Sequence, residues 1–375
     1  MKNPPQKSSS NTSATTSGYT NPLLVRLLEK HQAEMRGFDH WPGRCWVISD
    51  GTMGMVSQCL ALLKILDIDG EDIRAVPTPL LRLFPKLAAI PGWQLTLGRK
   101  PDWLKAGIWP DLLITCGKRM AGISIGVKRL SGGQTRTIHI QDPQIPPHYF
   151  DLLITPSHDH ITHHAVRPSN LILSTGALNR LDRAEIALAS TSLPAELKQL
   201  KAPVCAVMIG GHNRRYKAGK SSFVSLARQL SEFADILSPK GKPSFVLIPS
   251  RRTPKRHLRH LCEGLSGISY HLWDGTNDNP YPGILGLADI IIVTSDSVNM
   301  VSEACITGKP VLTAYLQAET GRIARFHQIM EEKGHILKLS DTLTSQKTLP
   351  KTMPALDEKD RLASEIKQFF GLSGA

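Results

Sequence analysis

Short, β-branched apolar runs recur along this chain of 375 residues, each closed by a polar turn and followed by apolar residues at helical spacing. The clearest unit runs from Ala288 to Tyr315. Ile290-Ile291-Ile292-Val293 has the length and branching of a strand buried on both faces. Thr294 to Ser297 offers several N-caps. Val298 to Ala304 follows as a helix that Gly308 and Pro310 end, and Pro310 to Tyr315 makes the next strand. The same alternation predicts strands at Arg44–Asp50, Ile73–Val76, Asp111–Thr115, Thr137–Ile140, Phe150–Ile154 and Leu171–Leu173, then at Val204–Ile209, Phe245–Pro249 and Ile268–Trp273. Helices are expected over Asn21–Met35, Met55–Leu66, Ser221–Ile236, Gly321–Lys333 and Asp357–Phe370. Such alternation marks open parallel sheets, and the fold class is α/β.

Strand signals lapse between Gly176 and Lys201, where a charged, helical stretch intervenes. The expected division is therefore a Ser/Thr/Asn-rich disordered tail over residues 1–20, a first domain over 21–180, a second over 200–345, and a closing segment with a last helix over 346–375. Composition adds bounds. A hydrophobic content of 41% with 21% charged residues is that of a soluble globular protein. No apolar run is long enough to predict a membrane-spanning helix. The net charge of +13 favours anionic partners, either a nucleotide diphosphate or the surface of an anionic membrane. The basic residues are dispersed and lack interleaved aromatics, so nucleic acid is not expected as a partner. The six cysteines are far apart, which suits buried thiols in a reducing compartment. Because the amino-terminal residues carry neither a secretory nor a mitochondrial leader pattern, the expected location is cytoplasmic.

Candidate chemistry gathers where the predicted strands end, the edge at which doubly wound sheets bind ligands. The helix beginning at Val298 presents free backbone N–H groups to an anion. Glu303, two turns further, lies within reach of a sugar hydroxyl if a nucleotide diphosphate sits at that cap. Arg251 and Arg252, at the end of another strand, suit either a bidentate phosphate clamp or a solvated turn before a helix. Arg322 and Arg325 follow the strand ending near Tyr315 and are placed to face the same cleft. His158-Asp159-His160-Ile161-Thr162-His163-His164 has the H-x-H-x-x-H spacing of a metallo-hydrolase. Thr162 stands where such motifs usually carry an acid, and no later Asp/His pair completes the ligand set. A polar loop over the cleft is the favoured reading, and no metal is expected.

Taken together, WVISDGTMGMVSQCLAL, WPDLLITCGKR, IQDPQIPPHYFDLLITPSHD, VMIGG, IPSRRTP and NDNPYPGILGLADIIIVTSDSVNMVSEACITGKPV resemble a mitochondrial-fission family, named for the elongated mitochondria of plants that lose it. The likeness runs in order from about Trp41 to Arg325. It implies two Rossmann-like domains facing each other across a cleft, similar to the GT-B glycosyltransferases. By position, Gly210 and Gly211 would form the first turn of a nucleotide-binding second domain. Ser297, Val298 and Asn299 would hold a diphosphate, and Glu303 the ribose. The first domain would take the acceptor, with Asp50, His158 or Asp159 as the base. The resemblance thus implies a nucleoside-diphosphate sugar as donor substrate with no other cofactor, and a cell-envelope or lipid-linked acceptor. It also implies an alternative, a non-catalytic adaptor that recruits dynamin-related proteins to a membrane and so has a protein partner.

Overall fold

A computed structural model of the chain describes residues 43–90, 107–159, 167–212, 216–276, 278–345 and 348–372. The expected tail over 1–20 and the helix over 21–35 lie outside them. The described strands form two six-stranded parallel sheets. The first contains β1 (Cys45–Ser49), β2 (Glu71–Arg74), β3 (Leu112–Cys116), β4 (Arg136–Ile140), β5 (Leu152–Pro156) and β6 (Leu171–Ser174), in the order β2-β1-β3-β4-β5-β6. The second contains β7 (Val204–Ile209), β8 (Ser244–Pro249), β9 (Tyr270–Leu272), β10 (Ile290–Thr294), β11 (Val311–Ala314) and β12 (Leu337–Lys338), in the order β12-β11-β10-β7-β8-β9. Each order reverses once, between β1 and β3 and between β7 and β10. At such a reversal the loops leave toward opposite faces and open a crevice at the strands' carboxyl ends.

Helices cover the sheets. The first domain has α1 (Met53–Leu66), α2 (Pro79–Leu83) and α3 (Ala121–Leu130). The connecting stretch supplies α4 (Arg183–Thr191) and α5 (Ala195–Lys198). The second domain continues with α6 (Lys220–Leu237), α7 (Lys255–Gly264), α8 (Tyr281–Leu287), α9 (Val298–Ile306), α10 (Gly321–Glu332) and α11 (Leu339–Ser345), and α12 (Lys359–Phe369) closes the described chain. β10 shows why the central strands read as unbroken apolar runs. Ile291 and Val293 join the core on one face of the sheet, Ile290 and Ile292 the core on the other. Burying each such side chain contributes about 1.5–3 kcal/mol.

Two segments settle differently from a simple linear division. α4 and α5 fill the interval where strand signals lapse, and Ile186, Leu193 and Leu197 bury into the core of the second sheet. α12 returns to the first domain. Its Leu362 and Ile366, with Phe370 beyond it, recur every four residues and pack beside Leu62 and Leu66 of α1. The chain therefore crosses between the domains twice, and the two crossings are bonded together. Thr175 N donates to Glu358 Oε2 at 2.6 Å, and Lys333 Nζ reaches Thr175 Oγ1 at 2.8 Å.

Candidate functional site in the interdomain cleft

The switch point of the second sheet is built around one buried carboxylate. Asp296 follows β10, and its Oδ1 accepts from Thr294 Oγ1 at 2.7 Å, while Oδ2 accepts from Gly211 N at 3.1 Å and pairs with Arg252 Nη2 at 3.0 Å. Gly210 N also donates to Thr294 Oγ1 at 2.7 Å. Space here is exhausted: a Cβ on Gly210 would run into the Asp296 carboxylate, and one on Gly211 into the Arg252 carbonyl. Only glycine lets β7 and β10 end this close together. Burial pushes the Asp296 carboxyl up in pKa, offset by the bonds from Thr294 and Gly211 and by Arg252.

Immediately after this knot, Ser297 caps α9, its Oγ accepting from Met300 N at 3.4 Å. The first N–H groups of a helix find no acceptor inside it, and the positive end of the helix dipole lies there. Val298 and Asn299 line a cavity of about 310 Å³ between the domains. That volume is at the lower end of those that hold small molecules.

The opposite wall comes from the first domain, and the two walls touch. Arg322 Nη1 lies 3.1 Å from Asp159 Oδ1, and Arg325 Nη1 donates to the His158 carbonyl at 3.2 Å. The His158 ring packs edge-on against Phe326 at 5.0 Å between centroids. Burial holds this imidazole down to a pKa of about 4 against the raising effect of Asp159, so it is neutral at pH 7. Its Nδ1 has no hydrogen-bond partner. Gln58 and Gln141 add amides to the same wall.

Residues that sequence reasoning missed complete the cavity. Glu319 Oε2 and His327 Nδ1 are 2.6 Å apart, both side chains almost fully buried, while Glu319 Oε1 has no partner. A buried carboxylate oxygen on a cavity wall calls for a donor from whatever enters. Tyr216, pushed up to about 12 by burial, bonds Ser295 Oγ at 2.7 Å and accepts from Leu316 N at 3.0 Å, fixing the loop beneath. The visible signal for Glu319 was the cap of α10 at Thr320, which shows a helix beginning but not where a preceding side chain goes.

The remaining candidates fall elsewhere. Asp50 directly follows β1 and is not among the cavity's lining residues. Its carboxylate accepts from Thr52 N at 3.0 Å and meets Arg119 at 3.3 Å, and those bonds lower its pKa against the effect of burial. β3 and β4 stand between β1 and β5, so Asp50 and His158 leave strand ends about 14 Å apart at ~4.8 Å per strand. Glu303 lies on the flank of α9, where its Oε2 accepts from Tyr281 Oη at 2.7 Å. Burial raises its pKa to about 6. Arg251 is exposed at the turn after β8. His160, His163 and His164 lie outside the described residues, and among the described residues no three metal-ligating side chains cluster. No described helix is long and apolar enough to cross a membrane.

Two Rossmann-like domains that meet carboxyl edge to carboxyl edge across a cleft define a GT-B-like protein. A solved Staphylococcus aureus MnaA–UDP complex shares this fold, with a TM-score of 0.50 at 14% identity over 88% of this chain and 97% of that one. The chain belongs to the Mitochondrial fission ELM1 family, whose model matches residues 53–370. It is 31% identical over 247 residues to the mitochondrial fission protein ELM1 of Arabidopsis thaliana, covering 60% of this chain and 56% of that one. It is 27% identical over 308 residues to protein RP120 of Rickettsia prowazekii, covering 72% and 82%.

Proposed function

We propose that the interdomain cavity binds a nucleoside-diphosphate sugar and that the protein transfers the sugar to a hydroxyl of a cell-envelope or lipid-linked acceptor. The observation that carries this reading is the amino terminus of α9, opening at Val298 and Asn299 onto a cavity that His158 lines from the other domain. The diphosphate sits at the N–H groups of α9. Glu319 Oε1 repels phosphate and accepts from a sugar hydroxyl, which gives the cavity an anion end and a hydroxyl end. The ribose reaches the Glu303–Tyr281 pair along α9. The UDP held by the MnaA protein of the same fold supports this choice of ligand class.

In the reaction, an acceptor oxygen bonds to the anomeric carbon as the bond from that carbon to the diphosphate breaks. The leaving diphosphate takes the electron pair and is stabilised by the helix terminus. The acceptor's proton passes to neutral His158, which Asp159 and Phe326 position. The test is release of nucleoside diphosphate from sugar nucleotide in the presence of a lipid extract. His158→Ala should lower turnover at least a hundredfold with donor affinity retained. Turnover at the wild-type rate in that variant removes His158 from the chemistry.

Membership of a family described by mitochondrial fission supports a second reading, an adaptor that binds a protein partner through its surface. Such an adaptor binds its partner equally well with the cleft emptied of its polar groups, as in Glu319→Ala with His158→Ala.

A further inference from the structure

The first domain exposes apolar side chains that its own core does not use. Val76, Leu80, Leu83, Phe84 and Ile90 are 40–73% exposed. Elsewhere in the described chain such residues occur singly along the sequence. The cause is visible in α2. This short helix turns only Leu81 inward, against Ala121, Ile125 and Leu153, and leaves Leu80 and Leu83 outside, with Phe84 following at its end. Pro77 and Pro85, both buried, pin the chain on either side. Core packing thus accounts for Leu81, and for Leu87 and Ala89 further along, but not for Leu80, Leu83 or Phe84. Exposed apolar side chains crowded into one short stretch in this way mark an interaction site.

Charge identifies the partner. Arg82 and Lys86 are exposed within the patch, and no acidic residue occurs between Asp72 and Ile90. At its rim Arg129 donates to the Ala89 carbonyl at 3.1 Å, and the neighbouring Leu130 is 50% exposed. A second copy of the chain meeting this face about a two-fold axis would set these cations against each other. An anionic lipid surface answers both features, since acyl chains accept the apolar groups and phosphates the cations.

The patch also leads to the cleft. Lys86 and Ala89 line a groove of about 750 Å³ whose wall passes over Ile145, Pro147 and Leu153 and includes Asp159. Asp159 is also on the wall of the interdomain cavity.

We propose that this face docks on an anionic lipid bilayer, with Leu83 and Phe84 entering the acyl boundary and Arg82 and Lys86 on the lipid phosphates. The groove then carries a bilayer-held acceptor toward Asp159. That last step rests on the glycosyl-transfer reading, whereas the docking does not.

Sedimentation with phosphatidylglycerol-containing vesicles tests the proposal, with pure phosphatidylcholine vesicles as the neutral control. The wild-type protein should pellet with the anionic vesicles and stay in solution with the neutral ones. The Leu83→Ser/Phe84→Ser variant should bind the anionic vesicles at least tenfold more weakly, with an unchanged melting temperature because both sites are solvent-exposed. Arg82→Glu/Lys86→Glu should weaken binding similarly and remove its salt dependence. Undiminished pelleting of either variant overturns the proposal, as does a wild-type protein that ignores anionic vesicles. A dimer dissolved by Leu83→Ser/Phe84→Ser would assign the face to self-association and also overturn it. If sugar nucleotides still raise the melting temperature while vesicles are not bound, docking fails and the cleft reading stands.

Discussion

Arg252 Nη2 lies 3.0 Å from Asp296 Oδ2, an oxygen that also accepts the N–H of Gly211 at 3.1 Å. The pair joins the turns after β7, β8 and β10 into one rigid floor under the cleft. Arg252 is therefore an internal brace, and its contribution to a phosphate is what its partly exposed guanidinium has to spare. Asp296 is the costlier residue to lose. Asp296→Ala leaves the buried Gly211 N–H and Thr294 hydroxyl without their acceptor and should destabilise the fold by about 2–3 kcal/mol. Arg252→Ala should cost less, because Thr294 and Gly211 still hold the carboxylate. Urea unfolding of the two variants measures the difference, and equal losses would refute this account of the brace.

Glu303 and Tyr281 make a second prediction. If the pair meets the ribose, Glu303→Ala removes a charged acceptor worth about 1.5–3 kcal/mol and weakens nucleotide binding roughly tenfold or more. Tyr281→Phe leaves the carboxylate in place and should weaken binding less. Titration calorimetry with the preferred nucleoside diphosphate checks both. An affinity unchanged by Glu303→Ala excludes the residue from the site.

Acid should destabilise the protein through two buried imidazoles. Burial lowers His139 to about 3 and His158 to about 4, both from an ordinary 6.5. Below pH 6.5 the unfolded chain binds protons that these folded imidazoles refuse, so stability falls as pH drops from 6.5 toward 4. Glu303 works in the opposite sense. Its raised value of about 6, against 4.5 unfolded, adds stability below 4.5 that is lost as pH rises through 6. Asp296, which burial also raises, acts in the same sense as Glu303, but the imidazoles carry the wider shifts, so the net change on acidification is a loss. Urea midpoints at pH 7.5, 6 and 5 should decline in that order, and His139→Phe should flatten the decline. A midpoint that rises on acidification contradicts the assignment.

Much of this was legible in the sequence because buried parallel strands announce themselves. Ile290 to Val293 reads as a two-faced strand and is one, and Ser297 reads as a cap and accepts from Met300 N. Arg322 lines the cavity, as expected, while Arg325 is engaged on the His158 carbonyl. What could not be read was which side chains pair. Glu319 reaches His327 through a loop whose path no local pattern dictates. Asp50, equally well placed at a strand end, pairs with Arg119, a residue no local pattern joins to it. α12 carries an unmistakable apolar stripe, but nothing in a stripe says which domain will cover it.

On the function proposed above, a sugar nucleotide occupies the cleft between α9 and the His158 loop. A thermal-shift screen of nucleoside diphosphates and their sugar conjugates examines that occupancy. At about a hundred times its dissociation constant a ligand adds roughly 2.7 kcal/mol to stability. One base should raise the melting temperature, its sugar conjugate should raise it further, and Glu319→Gln should erase the difference between the two. A flat screen across every nucleotide, with the wild-type protein folded throughout, would contradict the claim.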